Sequence, residues 1–155
     1  MKKLYFILLI GITFVEPAMS QENKSSLTFD IYGYLKESKK ECINEVEINL
    51  FVNDSLLKKV STNKKGYYEF KLYLNNNYKI EYIKTGYESK AILINTYINK
   101  ENLENESGWE MPLNVYLKKS NENKNKEILP IAKIHFNLLR GYFDYDLNYN
   151  NVNKE

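Results

Sequence analysis

The sequence has few of the residues from which metal centres, disulfide frameworks and catalytic triads are built. Its 155 residues include one cysteine, Cys42, and one histidine, His135. A zinc site of Cys and His ligands needs several such side chains, and an internal disulfide needs a second cysteine. Both are therefore excluded, and a single histidine also argues against most triad chemistry.

Glycine and proline are also scarce, whereas aromatic residues are abundant. The chain has 6 glycines and 3 prolines against 14 tyrosines and 7 phenylalanines. Tyrosine and phenylalanine favour strands, and disordered chains are poor in aromatic residues. This composition predicts a folded domain that is rich in β-structure.

Neither sign of charge is in excess. Lys and Arg number 22 against 20 Asp and Glu, which gives a formal net charge of +2. Proteins that bind nucleic acid or an anionic membrane need a concentrated basic field. The balance therefore predicts that the protein binds neither.

A long apolar run lies at the N-terminus, in the layout of a secretory signal peptide. Lys2 and Lys3 precede twelve apolar residues at 4–15, and small residues follow at Ala18 and Ser20. As a helix this run would span about 18 Å, short of the roughly 30 Å of a bilayer core. We therefore expect residues 1–20 to be a signal peptide cleaved after Ser20, which leaves a periplasmic or secreted protein with no stable membrane insertion.

The 135 residues that remain are enough for one domain. Alternation of apolar and polar residues predicts seven strands, at 27–35, 46–52, 57–62, 67–74, 78–82, 89–96 and 111–117. Seven short strands predict a β-sandwich over 21–117, and the sixth strand, apolar on both faces, is expected to be central. Residues 118–127 are expected to be a polar loop, and alternation within 128–155 predicts a hairpin-like C-terminal β extension.

Several short motifs occur in order along the predicted sandwich. They are IYGY from Ile31, VEINL from Val46, TNKKGYYEF from Thr62, YKI from Tyr78 and KTGY from Lys84. In this order they resemble the carboxypeptidase regulatory-like domain, also called the peptidase-associated fold. The resemblance covers 27–96 and implies an all-β, seven-stranded transthyretin-like (prealbumin-like) sandwich, in a non-catalytic companion of peptidases, transporters or surface proteins. The segment from Leu129 is similar to the tail of exported Bacteroidota proteins that carry this domain.

The longest of these motifs contains a hairpin turn that begins at Asn63 and ends at Gly66. Glycine adopts a positive φ without steric cost, which such a turn requires. We therefore expect a positive φ at Gly66, with Tyr68 and Phe70 on the core face of the strand that follows.

No residue is a strong candidate for catalysis. His135 alternates with Ile134 and Phe136, so strand parity points it outward, and no second histidine can complete a site with it. We expect no catalytic residue, enzymatic activity, cofactor or metal. Cys42 is expected to be a solitary thiol, with an intermolecular disulfide as the alternative.

The C-terminal residues also contain the outline of a calcium loop. Its acidic and amide positions would be Asp144, Asp146, Asn148, Asn150 and Glu155. Tyr149 stands where the sharp turn of such a loop needs glycine. An ordinary half-exposed strand explains the same alternation, and we favour it over a metal site.

Aromatic side chains that point outward are the candidate binding residues. By strand parity these are Tyr32, Tyr34, Tyr67 and Tyr73, and Trp109 lies in a loop. Exposed tyrosines suit protein interfaces, and Trp with Tyr can stack on a sugar ring. The structural alternatives are cross-strand pairs for the tyrosines and a lid over the core end for Trp109.

These observations favour an exported, non-enzymatic β-sandwich module with a structural or protein-interaction role in the cell envelope. Its partner would be an unidentified envelope protein. The alternative is a carbohydrate-binding module that holds a glycan on the exposed Tyr and Trp side chains.

The export prediction specifies the N-terminus of the accumulated protein. Because cleavage is expected after Ser20, the mature chain should begin at Gln21. N-terminal sequencing or intact mass of the protein from its native envelope measures this directly. Envelope-bound protein that retains Met1 would contradict both the cleavage site and the absence of stable membrane insertion.

Overall fold

The structure, a computed structural model, describes residues 27–99, 108–120 and 128–149. Ten strands in these ranges form two sheets. They are β1 (Thr28–Lys36), β2 (Glu47–Val52), β3 (Ser55–Ser61), β4 (Tyr67–Tyr73), β5 (Asn77–Ile83), β6 (Lys90–Asn95), β7 (Trp109–Pro112), β8 (Val115–Tyr116), β9 (Pro130–Asn137) and β10 (Tyr142–Tyr145). No helix in these ranges has the length and apolar character needed to cross a membrane.

The strands divide into a smaller and a larger sheet. The smaller sheet has the order β4-β1-β7, with β8 also paired to β1, and the larger has the order β10-β9-β6-β5-β2-β3. The sheets pack face to face, which confirms the predicted all-β sandwich. The first six predicted strands are present, and β6 lies between β5 and β9, as its apolar residues on both faces predicted.

The core forms between the sheets because alternate residues of each strand point inward. In β1, Phe29, Ile31 and Leu35 are fully buried, and from the larger sheet they are joined by Ile48 and Ile80. Burial of a side chain of this size contributes about 1.5–3 kcal/mol. The intervening residues of β1 are left on the outer face of the smaller sheet.

Two buried tyrosines link the sheets through their hydroxyl groups. The Tyr68 hydroxyl lies 3.0 Å from that of Tyr82 and donates to the Leu113 carbonyl at 2.7 Å. Since Tyr68 donates to Leu113, Tyr82 donates to Tyr68, and both buried hydroxyls have partners. Burial raises the pKa of both phenols above its ordinary value, so both groups remain neutral.

The seventh strand, expected as one element at 111–117, is instead two short strands. Both β7 and β8 run parallel to β1 in one continuous register, and the hydrogen-bonded ladder is interrupted between them at Leu113 and Asn114. The Leu113 amide donates to the Tyr32 carbonyl at 2.7 Å, and the Asn114 side-chain oxygen accepts from the Tyr34 amide at 2.9 Å. A side-chain acceptor therefore replaces a backbone acceptor, and this interrupts the strand.

Gly33 makes this interruption possible. A Cβ at this position would lie 2.1 Å from the Leu113 carbonyl oxygen. Only a glycine allows the two backbones to approach so closely. The interruption therefore depends on a residue in a different strand, about eighty positions earlier in the chain.

The predicted C-terminal extension is a hairpin of β9 and β10. It continues the larger sheet, because β9 pairs in parallel with β6. Its inward residues Ile134, Phe136 and Phe143 belong to the hydrophobic core. Phe143 stacks on Phe29 of the smaller sheet with 3.9 Å between ring centroids, so the hairpin closes one side of the sandwich.

The predicted turn between β3 and β4 is also present, but it does not close a hairpin, because β3 pairs with β2 in the larger sheet and β4 pairs with β1 in the smaller sheet. Gly66 has a φ of 74°, as expected, and its amide donates to the Asn63 carbonyl at 2.9 Å. The Asn63 side-chain oxygen accepts from the Lys65 and Tyr67 amides, which fixes the turn. Tyr68 and Phe70 are buried, as their parity predicted.

The close approach at Gly33 can be tested by substitution. Gly33→Ala is expected to lower the free energy of unfolding more than Gly86→Ala, because the new Cβ would meet the Leu113 carbonyl. Gly86 has a φ of 84° with open space around it, so its substitution carries only the conformational cost, about 1 kcal/mol. Denaturant unfolding of both variants gives the comparison. Equal losses would contradict the role given to Gly33.

Candidate functional site

The outer face of the smaller sheet carries three of the aromatic residues predicted as binding residues. Tyr32 and Tyr34 alternate along β1 with core residues, and Tyr67 does the same at the start of β4. The antiparallel register sets Tyr34 opposite Tyr67 and Tyr32 opposite Glu69. The structure therefore brings these three tyrosines together on one surface.

The tyrosines hold one another in place through ring and hydroxyl contacts. The Tyr34 and Tyr67 rings meet edge to face, with 5.4 Å between centroids. The Tyr67 hydroxyl donates to a Glu69 carboxylate oxygen at 2.7 Å, and the Lys36 ammonium lies 5.9 Å from the Tyr34 ring centroid. Such contacts limit the rotamers of these side chains, so less conformational entropy is lost when a partner binds.

Tyr116 and Pro112 complete this surface and were not among the candidates taken from the sequence. In the parallel pairing with β1, Tyr116 lies opposite Lys36 and Pro112 opposite Tyr32. Both are exposed. Parity with the buried Val115 and Leu117 is the sequence signal for Tyr116, but its place beside the other tyrosines depends on the parallel pairing of β8 with β1. We call Tyr32, Tyr34, Tyr67, Tyr116 and Pro112 the tyrosine face.

Tyr73 lies on the same sheet but apart from the tyrosine face. It is opposite Thr28, at the far end of β4 from Tyr67. Six residues of extended strand separate the two, which is about 20 Å. Tyr73 is 56% exposed, the most exposed tyrosine of the described residues.

The charges near the tyrosine face are balanced. Lys71 lies 3.6 Å from Asp30 across the strands. The hydrogen bond to Glu69 raises the pKa of the Tyr67 hydroxyl above its ordinary value, so this hydroxyl is a neutral donor at physiological pH. The surface is therefore amphipathic and has no strong field of one sign.

Trp109 is not on the tyrosine face, and the prediction that it lies in a loop is wrong, because it begins β7. It lies opposite Phe29 in the register of β7 with β1, and its ring meets Phe136 and Phe143 edge to face at 5.5 and 5.9 Å. Its indole N–H donates to the Gly141 carbonyl at 3.1 Å. Trp109 therefore covers one end of the core. This is the structural role that the sequence offered as the alternative to binding.

His135 lies on the outer face of β9, as its parity predicted, and it is half-buried opposite Asp144. Asp144 makes an ion pair with Arg140. Cys42 is exposed and contacts the Gly66 turn beside the other sheet. The structure therefore does not bring the histidine and the cysteine together.

The outlined calcium loop falls partly within the structure. Asp144 is bound to Arg140, and an Asp146 carboxylate oxygen accepts from the Asn148 amide at 3.1 Å. Asn150 and Glu155 lie outside the described residues. Among the residues that are described, no group of three or more His, Cys, Asp or Glu side chains could hold a metal ion.

A polar cluster anchors the chain where it leaves β8. Lys119 makes an ion pair with Glu37 at 2.7 Å, and the Tyr87 hydroxyl donates to the same carboxylate at 2.9 Å. The hydrogen bonds from Lys119 and Tyr87 lower the pKa of Glu37. These contacts hold residues 118–120 of the expected polar loop, and 121–127 lie outside the described residues.

Comparisons with known proteins add two partial structural likenesses. No protein-family model matches the chain, and no curated protein sequence matches it. Catechol 1,2-dioxygenase from Acinetobacter sp. ADP1, inhibited by bound mercury, is similar over 72% of this chain and 60% of its own, with 9% identity and a TM-score of 0.47. The TIE protein of Bacillus anthracis is similar over 68% of this chain and 21% of its own, with 16% identity and the same TM-score. Likenesses at these values carry no functional argument.

The place of Trp109 in the core predicts a loss of stability on its removal. Trp109→Ala should lower the free energy of unfolding by about 2 kcal/mol or more, somewhat less than the truncation of a fully buried Trp. Tyr97→Ala, at a tyrosine that is 52% exposed, is the control and should change it by about 0.5 kcal/mol or less. Denaturant unfolding measures both. An unchanged stability in Trp109→Ala would mean that the indole is free to serve as a binding platform.

Proposed function

We propose that this chain is an exported, non-enzymatic β-sandwich module that binds another protein of the cell envelope through the tyrosine face. The observation that carries the proposal is the grouping of Tyr32, Tyr34, Tyr67 and Tyr116 on the outer face of the smaller sheet. No described element covers this face. Tyrosine supplies a large, stiff and amphipathic contact area, and it is enriched where proteins bind one another.

The chemistry of the surroundings supports a protein as the partner. Lys71 is paired with Asp30, and Lys36 and Glu69 lie beside the rings, so charges of both signs are mixed around them. A binder of nucleic acid or of an anionic membrane would need an excess of basic side chains. A neutral aromatic surface with hydroxyl groups fits the mixed apolar and polar centre of a protein interface.

The sequence supports the remaining parts of the proposal. The leader at 1–20 favours export to the periplasm or beyond the cell. The resemblance of 27–96 to the carboxypeptidase regulatory-like domain favours a non-catalytic companion role. The separation of His135 from Cys42 favours the same role, since a nucleophile and its base must lie within hydrogen-bonding reach.

The carbohydrate-binding alternative is weaker, because it was based on Trp109 together with exposed tyrosines. The indole of Trp109 packs on Phe136 and Phe143, and its N–H is bound to Gly141. A glycan would have to stack on the tyrosine face alone. We therefore favour a protein as the partner and keep glycan binding as an outcome of the test.

The test is partner capture from the native envelope with variants of the tyrosine face. In Tyr34→Ala/Tyr116→Ala, the two exposed rings of the face are lost, and capture should fall at least about tenfold. The matched control is Tyr97→Ala/Tyr142→Ala, which removes two tyrosines of similar exposure elsewhere. His135→Ala should capture the partner like the unchanged protein. Circular dichroism verifies the fold of each variant.

The other possible results of these binding tests would contradict parts of the proposal or favour its alternative. Equal capture by both double variants would contradict the tyrosine face as the interface. Loss of the partner only in a folded His135→Ala variant would contradict the non-enzymatic module and indicate an active site. Binding on a glycan array that is lost in Tyr34→Ala/Tyr116→Ala would favour the carbohydrate alternative.

A further inference from the structure

β4 is an edge strand with an open side. Among the described strands it pairs with β1 alone, and it contains neither a proline nor a bulge in that pairing. Open edges offer unpaired N–H and C=O groups to another strand, and proteins usually protect them. The sequence of β4 is YYEFKLY, in which Glu69 and Lys71 are exposed on either side of Phe70.

The backbone of β4 determines which residues a second strand can pair with. The Leu35 amide donates to the Gly66 carbonyl at 2.9 Å, so Gly66 directs its carbonyl toward β1. In an antiparallel ladder this direction alternates, so Phe70 also faces β1 and Glu69 and Lys71 face the open side.

Both ends of β4 agree with this alternation, and both are already occupied. The Tyr67 amide and carbonyl bond to Asn63 in the preceding turn. The Tyr73 carbonyl accepts from the hydroxyls of Tyr78 and Thr96 at 3.1 and 3.0 Å. The open groups are therefore centred on the amides and carbonyls of Glu69 and Lys71.

We propose that two copies of this chain pair antiparallel through β4, about a twofold axis at Phe70. In this register Glu69 lies opposite Lys71 of the second copy, and Lys71 lies opposite its Glu69. These residues are the ones whose backbone groups face the open side, so the side-chain charges and the backbone hydrogen bonds select the same register.

Neighbouring registers are disfavoured by charge. A shift of two residues in one direction places Glu69 opposite Glu69 of the second copy, and the opposite shift places Lys71 opposite Lys71. Like charges directly across a strand pair are repulsive. The paired register is also isologous, because the same edge is used by both copies.

The other edge on this side of the sandwich, β3, is protected by contrast. Lys58 and Lys59 are adjacent there, so antiparallel self-pairing centred on either lysine sets that lysine opposite the same lysine of the second copy. The register of β3 with β2 also shifts between Leu50 and Phe51. Same-sign charge and a distortion are two of the devices that prevent edge pairing.

Pairing through β4 would also bring Tyr73 of each copy beside the tyrosine face of the other copy. In the register about Phe70, Tyr73 lies opposite Tyr67 of the second copy. The two outer faces would then form one continuous surface with a twofold axis. The dimer does not depend on the proposed envelope partner, because two copies of this chain would form it without any other protein.

Charge-reversal variants test the dimer, and mixing the two variants should restore it. Wild type, in the form that cells accumulate, should show twice the mass of one chain by light scattering at high concentration. Glu69→Lys sets lysines against lysines, and Lys71→Glu sets carboxylates against carboxylates, so each variant alone should be monomeric. An equimolar mixture of the two should regain the dimer mass, since each copy then offers the opposite charge.

The controls distinguish pairing through β4 from other causes of dimer formation or loss. Lys58→Glu on β3 should leave the dimer intact. Because Lys71 also lies near Asp30, thermal melting of each variant verifies that the fold is retained. A wild type that is monomeric at all concentrations would overturn the proposal. So would a dimer that survives both single reversals, or a mixture of folded variants that stays monomeric.

Discussion

The approach of the Leu113 carbonyl to Gly33 is the contact on which the arrangement of the smaller sheet depends. At this point the chain passes so close to β1 that a Cβ would lie 2.1 Å from the carbonyl oxygen. The same oxygen accepts the hydrogen bond from Tyr68, which in turn accepts one from Tyr82 in the larger sheet. A single backbone group thus connects the interruption of the ladder, the core and both sheets.

The binding surface depends on the pairing of β7 and β8 with β1. The ladder is interrupted at Leu113, so β7 ends at Pro112 beside Tyr32, and β8 resumes the same register and places Tyr116 beside Lys36. At the other end of β7, Trp109 packs on Phe136 and Phe143. The pairing with β1 therefore adds one aromatic residue to the exposed surface and sets another against the core.

In the proposed dimer, local charge decides which of the two edge strands on one side of the sandwich is used. β3 carries adjacent lysines, and β4 alternates an acidic and a basic residue about Phe70. Both edges offer backbone hydrogen bonds, and the like charge at β3 opposes self-pairing. Pairing through β4 would extend the tyrosine face from one copy to the next. The charges on the β4 edge would therefore also set the size of the binding surface.

The sequence by itself determined the features that depend on neighbouring residues. The alternation in β1 to β6, the outward parity of Tyr32, Tyr34 and His135, and the positive φ of Gly66 were all predictable, because strand parity and turn geometry are local. Tertiary structure alone decided which strands lie side by side. It split the seventh strand over Gly33, brought Tyr116 to the tyrosines, kept Tyr73 apart from them and packed Trp109 against the end of the core. These outcomes depend on contacts between residues far apart in the chain, and no local pattern encodes that pairing.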